Sequence, residues 1–331
     1  MKFNWFVGID VSKHTLDITL LKNNNKLFFK QIENSQKELK SLLKELKKLD
    51  INLSECLFCM EHTGIYCNPL LEVSEKQSLH LWIENATQIK LSIGLQRGKN
   101  DKIDSLRIAE YAFRFQDKAN LRQPVRAAMK ALRGLNLART RLVQSLKELQ
   151  TVSKEQDHYS SKQTFNGYFK SSIKALKADL IKIEQEISEV INEDERLKEL
   201  FAIVQSVKGI GTVIALNIIL TTNEFKDFKD PKKYACYAGV VPFDHSSGIS
   251  LNSKKRVSRK ANMQMKSLLH MGALVAIKSN KEIMEFYARK VKEGKAKMNV
   301  LNAIRNKLIH RIFACVRDNR KYENIYTNAL A

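Results

Sequence analysis

The sequence predicts an α/β domain built on a mixed β-sheet, followed by a mainly α-helical remainder. Residues 3–33 form three short apolar segments with period-two alternation, separated by tight turns, as in an antiparallel meander. Helical and strand-like segments then alternate through residues 36–104, which is typical of parallel strands joined by helices. Residues 124–200 are almost free of Gly and Pro and repeat leucine at helical spacing, which favours long helices.

Local patterns fix the order of the elements in the first domain. Strands are expected from Phe3 to the turn at Val11–His14 and at Thr15–Leu21, Lys26–Ile32, Cys56–Met60 and Leu79–Glu84, and helices at Gln36–Leu49, near Tyr66–Lys76 and at Ala86–Leu95. Asn100 can cap a further helix that carries Asp101 and Asp104. An antiparallel meander followed by alternating helices and strands is the order of a ribonuclease-H-like domain, with sequential strands forming a mixed sheet.

Four carboxylates fall where such a domain would bring them to one place. Asp10 interrupts an otherwise apolar strand, and Glu61 ends another strand. Asp101 and Asp104 are three residues apart, so one face of a helix can present both. Burying an unpaired charge is costly, and clustered carboxylates repel one another unless a divalent metal neutralises them. Two such metals promote in-line attack on a phosphodiester, so the pattern predicts phosphoryl transfer on nucleic acid.

Each carboxylate also has an ordinary interpretation when taken alone. Asp101 could cap its helix, Asp104 could be a solvated helix charge, and Glu61 could be a strand-end charge. Their joint occurrence in the right strand order favours the metal site. Asp17, on the adjacent strand, is the next candidate ligand, and Glu84 at the end of the fifth strand is another.

Composition indicates a globular protein of more than one domain. The 331 residues and 44% hydrophobic content are enough for two or three cores, divided here as 1–123, 124–200 and 201–331. No apolar run approaches a membrane span and no signal peptide is recognisable, so we expect a cytoplasmic protein. The five scattered cysteines are consistent with reduced thiols. Cys56 and Cys59 have zinc-like spacing, but they lie within a strand-like run without a second pair.

The charge predicts a polyanionic partner. The chain carries a net charge of +22, and Lys and Arg outnumber Asp and Glu by 15 beyond residue 200. A basic, solvated surface would explain part of this excess, but not its concentration in one segment. Nucleic acid is therefore the expected partner, bound mainly by the last third of the chain.

The middle and last thirds are predicted to be largely helical. Two long helices joined near Asn166-Gly167 would form an antiparallel pair or a dimerising coiled coil, and further helices are expected over Met263–Ser279 and Ala296–Arg317. Between them, Lys208, Gly209 and Gly211 precede a helix whose first amides could hold a phosphate, although an ordinary glycine turn fits equally well.

A serine-containing loop is expected between Phe243 and Asn262. It contains Ser246-Ser247-Gly248, with His245 beside it, and the basic residues that follow are Lys254, Lys255, Arg256, Arg259 and Lys260. Read from the residues alone, such a segment is more often a phosphate-binding loop than a site for a nucleophile. A serine next to glycine can nevertheless expose its hydroxyl, and the cations could stabilise a phosphorane-like transition state.

Six motifs, in order along nearly the whole chain, resemble the DEDD transposases of certain bacterial insertion sequences, relatives of the Piv-type DNA invertases. The motifs are Val7-Gly-Ile-Asp10-Val-Ser-Lys, Met60-Glu61-His-Thr-Gly-Ile-Tyr, Lys99-Asn-Asp101-Lys-Ile-Asp104-Ser, Val207-Lys-Gly-Ile-Gly211, Tyr237-Ala-Gly239-Val-Val-Pro242 and Ser247-Gly248. The sequence departs from the family after Gly248, where Ile249-Ser-Leu-Asn-Ser replaces a run rich in glycine and basic residues.

The resemblance implies a RuvC-like N-terminal domain, a helical middle segment and a mainly α-helical C-terminal transposase domain with a serine loop. It implies Mg²⁺ (or Mn²⁺) held by Asp10, Glu61, Asp101 and Asp104, and attack on DNA by Ser247, with Ser246 as the rival. It also implies donor and target DNA, a structured guide RNA called the bridge RNA, and a homodimer or homotetramer as partners.

Two other functions fit parts of the sequence. A RuvC-like nuclease would use the carboxylates and water, and the C-terminal domain would then only bind nucleic acid. A non-catalytic binding protein with a decayed nuclease fold is the other alternative, although a decayed site has no reason to keep four costly charges.

Overall fold

The computed structural model describes residues 3–23, 25–61, 63–93, 101–159, 164–247, 251–258 and 261–323. At residues 93, 101, 153–159, 164–167, 243–247 and 251–256 the backbone alone is described. The chain divides into two compact units, residues 1–124 and 125–331. The further division at residue 200 remains a prediction.

The first unit is built on a five-stranded mixed sheet. Its strands are β1 (Trp5–Val11), β2 (Thr15–Lys22), β3 (Asn25–Glu33), β4 (Cys56–Glu61) and β5 (His80–Glu84), in the order β3-β2-β1-β4-β5. The first three strands pair antiparallel, whereas β4 pairs parallel with both β1 and β5. This order confirms the predicted ribonuclease-H-like mixed sheet.

Helices cover both faces of the sheet. They are α1 (Gln36–Lys48), α2 (Asn68–Lys76), α3 (Ala86–Ile93) and α4 (Asp101–Arg114). The α1 helix begins where the sequence predicts, because the Ser35 side chain accepts a hydrogen bond from the Glu38 amide at 3.3 Å. The α2 helix starts at Asn68, two residues later than predicted, because a 3₁₀ turn occupies Gly64–Cys67.

The alternation of side chains along each strand divides the core into two layers. One layer joins Val7 and Ile9 of β1 to α1 and α2. The other joins Phe6 of β1, Cys59 of β4 and Trp82 of β5 to α4. Because successive side chains of a strand point to opposite faces, the side chains of β1 that share a face with Phe6 point toward α4.

The second unit is mainly helical. Its elements are α5 (Ala127–Tyr159), α6 (Thr164–Glu193), α7 (Glu195–Ser206), α8 (Thr212–Thr222), α9 (Pro231–Tyr237), β6 (Phe243–Ser247), β7 (Leu251–Arg256), α10 (Met263–Ser279), α11 (Lys281–Lys292) and α12 (Lys297–Arg317). One hydrophobic cluster runs from Val125 through α8 and α10 to Cys315 of α12. No helix in the described part of the chain is long and apolar enough to cross a membrane.

The long helices α5 and α6 pack on each other as an antiparallel pair. Met129 near the start of α5 shares a cluster with Ile191 near the end of α6, and Arg139 Nε donates to Glu184 Oε1 at 2.9 Å. The junction, predicted near Asn166-Gly167, lies a few residues earlier, because α5 ends at Tyr159 and α6 begins at Thr164. A single glycine costs a helix only about 1 kcal/mol, so it is a weak boundary signal within a long helix.

The segment expected to be a loop between Phe243 and Asn262 instead contains a β-hairpin. Strands β6 and β7 pair antiparallel, with Ser246 opposite Asn252 and Ser247 opposite Leu251. The strands could not be predicted because the segment is polar and lacks the alternating apolar and polar residues of a half-buried strand. The helices predicted over Met263–Ser279 and Ala296–Arg317 are confirmed as α10 and α12, and α9 and α11 were not predicted.

Candidate active site

The α4 helix crosses β1 at Gly8 in direct backbone contact. A Cβ atom at Gly8 would lie 2.2 Å from the Ser105 carbonyl oxygen and 2.3 Å from the Ala109 amide nitrogen. One strand away, Thr19 and the buried Ser105 hydroxyl share a hydrogen bond of 2.9 Å. Glycine at position 8 and this buried hydrogen bond therefore fix the first turns of α4 against β1 and β2.

Asp10 and Asp17 lie on the face of the sheet that α4 covers. Asp10 is two residues beyond Gly8, so both point to the same face. Thr19 pairs with Gly8 and Asp17 pairs with Asp10 across the antiparallel strands, which puts all four on one side. Asp10 is partly buried, at the end of the strand.

Glu61 and Glu84 continue this row on the parallel strands. Cys59 pairs with Gly8, and Glu61 is two residues further along β4 on the same face. Because Ile9 pairs with Met60, Asp10 and Glu61 follow as neighbours at the ends of adjacent strands. Glu84 pairs with Glu61 in turn. Four strands therefore each carry a carboxylate near the same edge of the sheet, on the face under α4.

The helix α4 adds Asp104 to this row. Burial raises the pKa of Glu61, and the nearby negative charge of Asp104 raises it further. Arg107 Nη1 donates to Asp104 Oδ1 at 2.9 Å, one turn along the helix. Asp101 is the first residue of α4, one turn before Asp104, and its side chain lies outside the described residues, as does His62.

The donor set fits a hard divalent cation by its chemistry. A bound cation would neutralise the negative charge of Asp104 that raises the pKa of Glu61, and all-oxygen ligand sets favour Mg²⁺ or Mn²⁺. Among the described side chains, no three His, Cys, Asp or Glu residues converge as ligands. That set does not include Asp101, the fourth predicted ligand.

The two runner-up carboxylates both accept hydrogen bonds from neutral donors. Gln31 Nε2 donates to the two oxygens of the buried Asp17 at 3.0 and 3.3 Å. The Tyr111 hydroxyl donates to Glu84 at 3.2 Å, and burial together with the Glu84 charge raises the pKa of Tyr111. These bonds fix the orientation of both side chains at the margins of the row.

The glycines before α8 have different surroundings. Gly209 has φ +96°, and a Cβ there would lie 2.4 Å from the Gly272 carbonyl oxygen of α10. Gly209 is therefore required for packing. Gly211 precedes α8 with open space around it and provides no side-chain cap for the first amides, and Lys208 is exposed beside it. A phosphate at these amides remains a prediction.

The predicted nucleophile lies on the β6–β7 hairpin. Ser247 ends β6 and Ser246 precedes it; their side chains, like those of Lys254, Lys255 and Arg256 on β7, lie outside the described residues. Gly248, Arg259 and Lys260 lie outside the described residues entirely. The roles assigned to these residues remain predictions.

A buried arginine of α12 was not predicted. Arg305 of α12 is 4% exposed, and its guanidinium donates to His270 Nδ1 at 2.6 Å and to Asn302 Oδ1 at 3.4 Å. Asn302 Nδ2 in turn donates to the Val240 carbonyl oxygen, three residues before β6, at 2.5 Å. The available signal was an arginine on the apolar face of a helix, between Leu301 and Leu308.

Two family models match the chain in successive segments. A DEDD transposase model of the IS110 type matches residues 7–155, and the transposase IS116/IS110/IS902 family model matches residues 202–288. The first segment contains Asp10, Glu61, Asp101 and Asp104, and the second contains Ser247.

Known proteins similar to the chain include DNA-rearranging enzymes. The pilin gene-inverting protein of Moraxella bovis is 24% identical over 96% of this chain and 97% of its own length. The transposase for insertion sequence element IS1533 of Leptospira borgpetersenii is 24% identical over 70% of this chain and 73% of its own length. Among solved structures, Thermus thermophilus RuvC is 13% identical with a TM-score of 0.26, covering 35% of this chain and 98% of RuvC. The fold assignment depends on the strand order described above.

Proposed function

We propose that the chain is a DEDD transposase of the IS110/IS116 type, to whose family models it is similar over residues 7–155 and 202–288, and that it cuts and rejoins DNA through a metal-bound carboxylate cluster and a serine nucleophile. The observation that carries the proposal is the row of carboxylates under α4. Asp10 and Glu61 end adjacent strands, and the charge of Asp104 on the helix above raises the pKa of Glu61. Such repulsion suits a site that is completed by cations.

The four carboxylates divide between a rigid sheet and a fixed helix. Asp10, Glu61, Asp101 and Asp104 would hold Mg²⁺ (or Mn²⁺), which when bound polarises a phosphodiester and stabilises its developing charge. The backbone contact at Gly8 and the Thr19–Ser105 hydrogen bond keep α4 at one height above β1. Arg107 forms an ion pair with Asp104 at 2.9 Å, one turn along the same helix.

The serine makes rejoining possible without an external energy source. In the proposed step, the Ser247 hydroxyl loses its proton and its oxygen forms a bond to phosphorus. The bond from phosphorus to a strand-end oxygen breaks, and that oxygen takes up a proton. Attack by another strand-end hydroxyl then reverses the step and releases the serine, so each phosphodiester is conserved. Ser246 remains the rival nucleophile.

We extend the proposal to the partners. Donor and target DNA, a structured guide RNA (the bridge RNA) and assembly into a homodimer or homotetramer are proposed from the family resemblance. The excess of 15 positive charges beyond residue 200 supports a polyanion bound by the C-terminal unit. A nuclease that uses water is the second candidate, because the carboxylates alone would suffice for hydrolysis.

The test is to trap the reaction on labelled DNA. Wild-type protein with guide RNA, its DNA substrates and Mg²⁺ should give a protein-linked strand after denaturation, with the modified peptide containing Ser247. Asp10→Asn should bind nucleic acid but give neither cleavage nor adduct. Ser247→Ala should also give no adduct, and Ser246→Ala should keep most of it.

Three results would contradict parts of the proposal. Full cleavage by Asp10→Asn, or in excess chelator, would remove the metal site. An adduct on Ser246 would move the nucleophile by one residue. Efficient cleavage by Ser247→Ala, together with no adduct in the wild type, would favour the water-using nuclease.

A further inference from the structure

A polar pocket lies in the second unit between α5, α8 and the start of α10. Its volume is about 260 Å³, below the range of roughly 300–1,000 Å³ typical of sites for drug-sized ligands. Its lining includes the side chains of Asn136, Leu137, Asn217, Asn262 and Gln264. None of the described residues that line it is acidic, so the pocket does not repel a nucleic acid.

Hydrogen bonds fix the orientation of the pocket's amide groups. Asn136 Nδ2 donates to Asn217 Oδ1 at 3.2 Å, and Asn217 Nδ2 donates to the Val213 carbonyl oxygen at 2.8 Å. These two hydrogen bonds fix the orientation of both amide groups. The oxygen of Asn136 takes no part in them, so Asn136 Oδ1 remains an acceptor with a fixed direction. Asn262 is held similarly, since its oxygen caps α10 at the Met265 amide and its Nδ2 donates to the Tyr237 hydroxyl.

Gln264 provides an adaptable group beside these fixed amides. It is exposed on the first turn of α10, and within the described part of the chain its side chain has no hydrogen bond. It can therefore offer both a donor and an acceptor. Leu137 is 54% exposed at the opposite side of the pocket and presents an apolar surface. Donors and acceptors beside an apolar surface match a planar heteroaromatic ring with polar edges.

The place of the pocket along the chain favours a nucleic-acid ligand. Asn262 and Gln264 follow the proposed phosphate-binding run that ends in Arg259 and Lys260 by only two to four residues. A strand held there by its phosphates would carry its bases near the start of α10. In a single strand the bases are unpaired, so amide side chains can form hydrogen bonds with their edges.

We propose that this pocket binds one unpaired nucleobase of the nucleic acid on which the enzyme acts. The inference rests on the proposed nucleic-acid function and adds a site that reads a base rather than a phosphate. Asn136 and Gln264 contact the edge of the base, and Leu137 packs against its face. The base comes from either an RNA or a DNA strand.

The test compares strands with and without bases. Fluorescence anisotropy measures the binding of the full-length protein to labelled 12-nucleotide single strands of each homopolymer, as RNA and as DNA, and to abasic strands of matching backbone. The wild type should bind at least one base-containing strand about tenfold or more tightly than its abasic counterpart. The backbone that gives the larger preference identifies the source of the base.

Two exposed substitutions keep the test independent of folding. Gln264→Ala and Leu137→Ala should each lower the preference for bases severalfold and leave affinity for the abasic strand within about twofold. Asn136→Ala should do the same, provided its melting temperature is close to that of the wild type. Gln144→Ala, an amide on the same helix outside the pocket, is the matched control and should change neither affinity.

Two outcomes overturn the pocket and leave the transposase proposal standing. One is equal wild-type affinity for abasic and base-containing strands. The other is an equal loss of both affinities in Gln264→Ala and Leu137→Ala, which would indicate contact with the backbone. No measurable binding of any strand would contradict both proposals, whereas the serine adduct tests the recombination chemistry separately.

Discussion

Gly8 of β1 lies against Ser105 of α4 so closely that a Cβ atom would be 2.2 Å from the Ser105 carbonyl oxygen. This contact connects the two halves of the candidate metal site. Asp10 is two residues along the strand from Gly8, and Asp104 is adjacent to Ser105 on the helix. Any change in the height of α4 above β1 therefore changes the separation of the carboxylates.

Gly8→Ala should destabilise the first unit. The added methyl group would overlap with backbone atoms that cannot move aside. We therefore expect the free energy of unfolding to fall by about 1–3 kcal/mol. Urea denaturation followed by tryptophan fluorescence would measure it, because both tryptophans lie in this unit.

The control for a glycine replacement is Gly134→Ala in the α5 helix of the second unit, whose unfolding is followed by circular dichroism because both tryptophans lie in the first unit. Apart from the backbone of its own helix, no atom lies within 4 Å of a Cβ placed there, so alanine should stabilise the helix by about 0.5–1 kcal/mol. A Gly8→Ala protein as stable as the wild type would show that α4 can shift, and the coupling argued above would then be wrong.

The sequence was sufficient to predict the sheet but not all of the second unit. Alternation and turns predicted all five strands, and Asp10 could be singled out because a charge interrupts an apolar strand. The contact between Gly8 and the backbone of α4 could not be predicted, because a glycine in a strand does not indicate which other segment packs against it. The β6–β7 hairpin was missed because its residues are polar. The role of Arg305 was missed because one arginine among apolar residues does not indicate which groups it contacts.

Glu61→Gln should stabilise the metal-free protein and abolish its response to Mg²⁺. Burial and Asp104 raise the pKa of Glu61, so its charged form opposes folding at pH values above its ordinary pKa. The neutral amide removes that repulsion and also removes a ligand. In thermal unfolding, wild type at a Mg²⁺ concentration a hundred times its dissociation constant should gain about 2.7 kcal/mol, and the variant much less.

Glu33→Gln, at the exposed end of β3, controls for the loss of one negative charge and should respond to Mg²⁺ like the wild type. If Glu61→Gln lowered the metal-free melting temperature, repulsion between Glu61 and Asp104 could not be the dominant effect. If it kept the full response to Mg²⁺, Glu61 would not be a ligand.

Glu224 should make the second unit sensitive to acid. Its side chain is fully buried in a turn where Asn223, Glu224 and Phe225 all have positive φ, and it accepts hydrogen bonds from Arg126 and Lys226. Burial alone would raise its pKa, but these cations lower the pKa overall; Arg126 similarly lowers the pKa of Asp194. Stability from lowered pKa values is present above the ordinary values and is lost as pH falls through the folded-state values.

The wild type should therefore lose stability below about pH 4.5, and Glu224→Gln should show a shallower loss. At neutral pH the variant should be less stable by about 1–3 kcal/mol, because Arg126 loses one of its two carboxylate partners and keeps Asp194. Glu195→Gln, whose side chain is 79% exposed, should change stability by less than about 1 kcal/mol. Denaturant titrations from pH 3 to 7 would measure all three proteins; an unchanged acid slope in Glu224→Gln would rule out this source.

Replacing the basic run after the serine hairpin should reduce the salt dependence of nucleic-acid binding. Each phosphate contact adds about 0.9 to the slope of log affinity against log salt on duplex DNA. Removing Lys254, Lys255, Arg256, Arg259 and Lys260 together should therefore flatten the slope by up to about 4.5 if all five contact phosphates. Anisotropy titrations from 50 to 300 mM salt would measure it.

A control of equal charge replaces five exposed lysines elsewhere in the unit: Lys170, Lys174, Lys177, Lys182 and Lys198. If the control flattens the slope as much as the basic run does, binding follows net charge alone, and the run has no specific role.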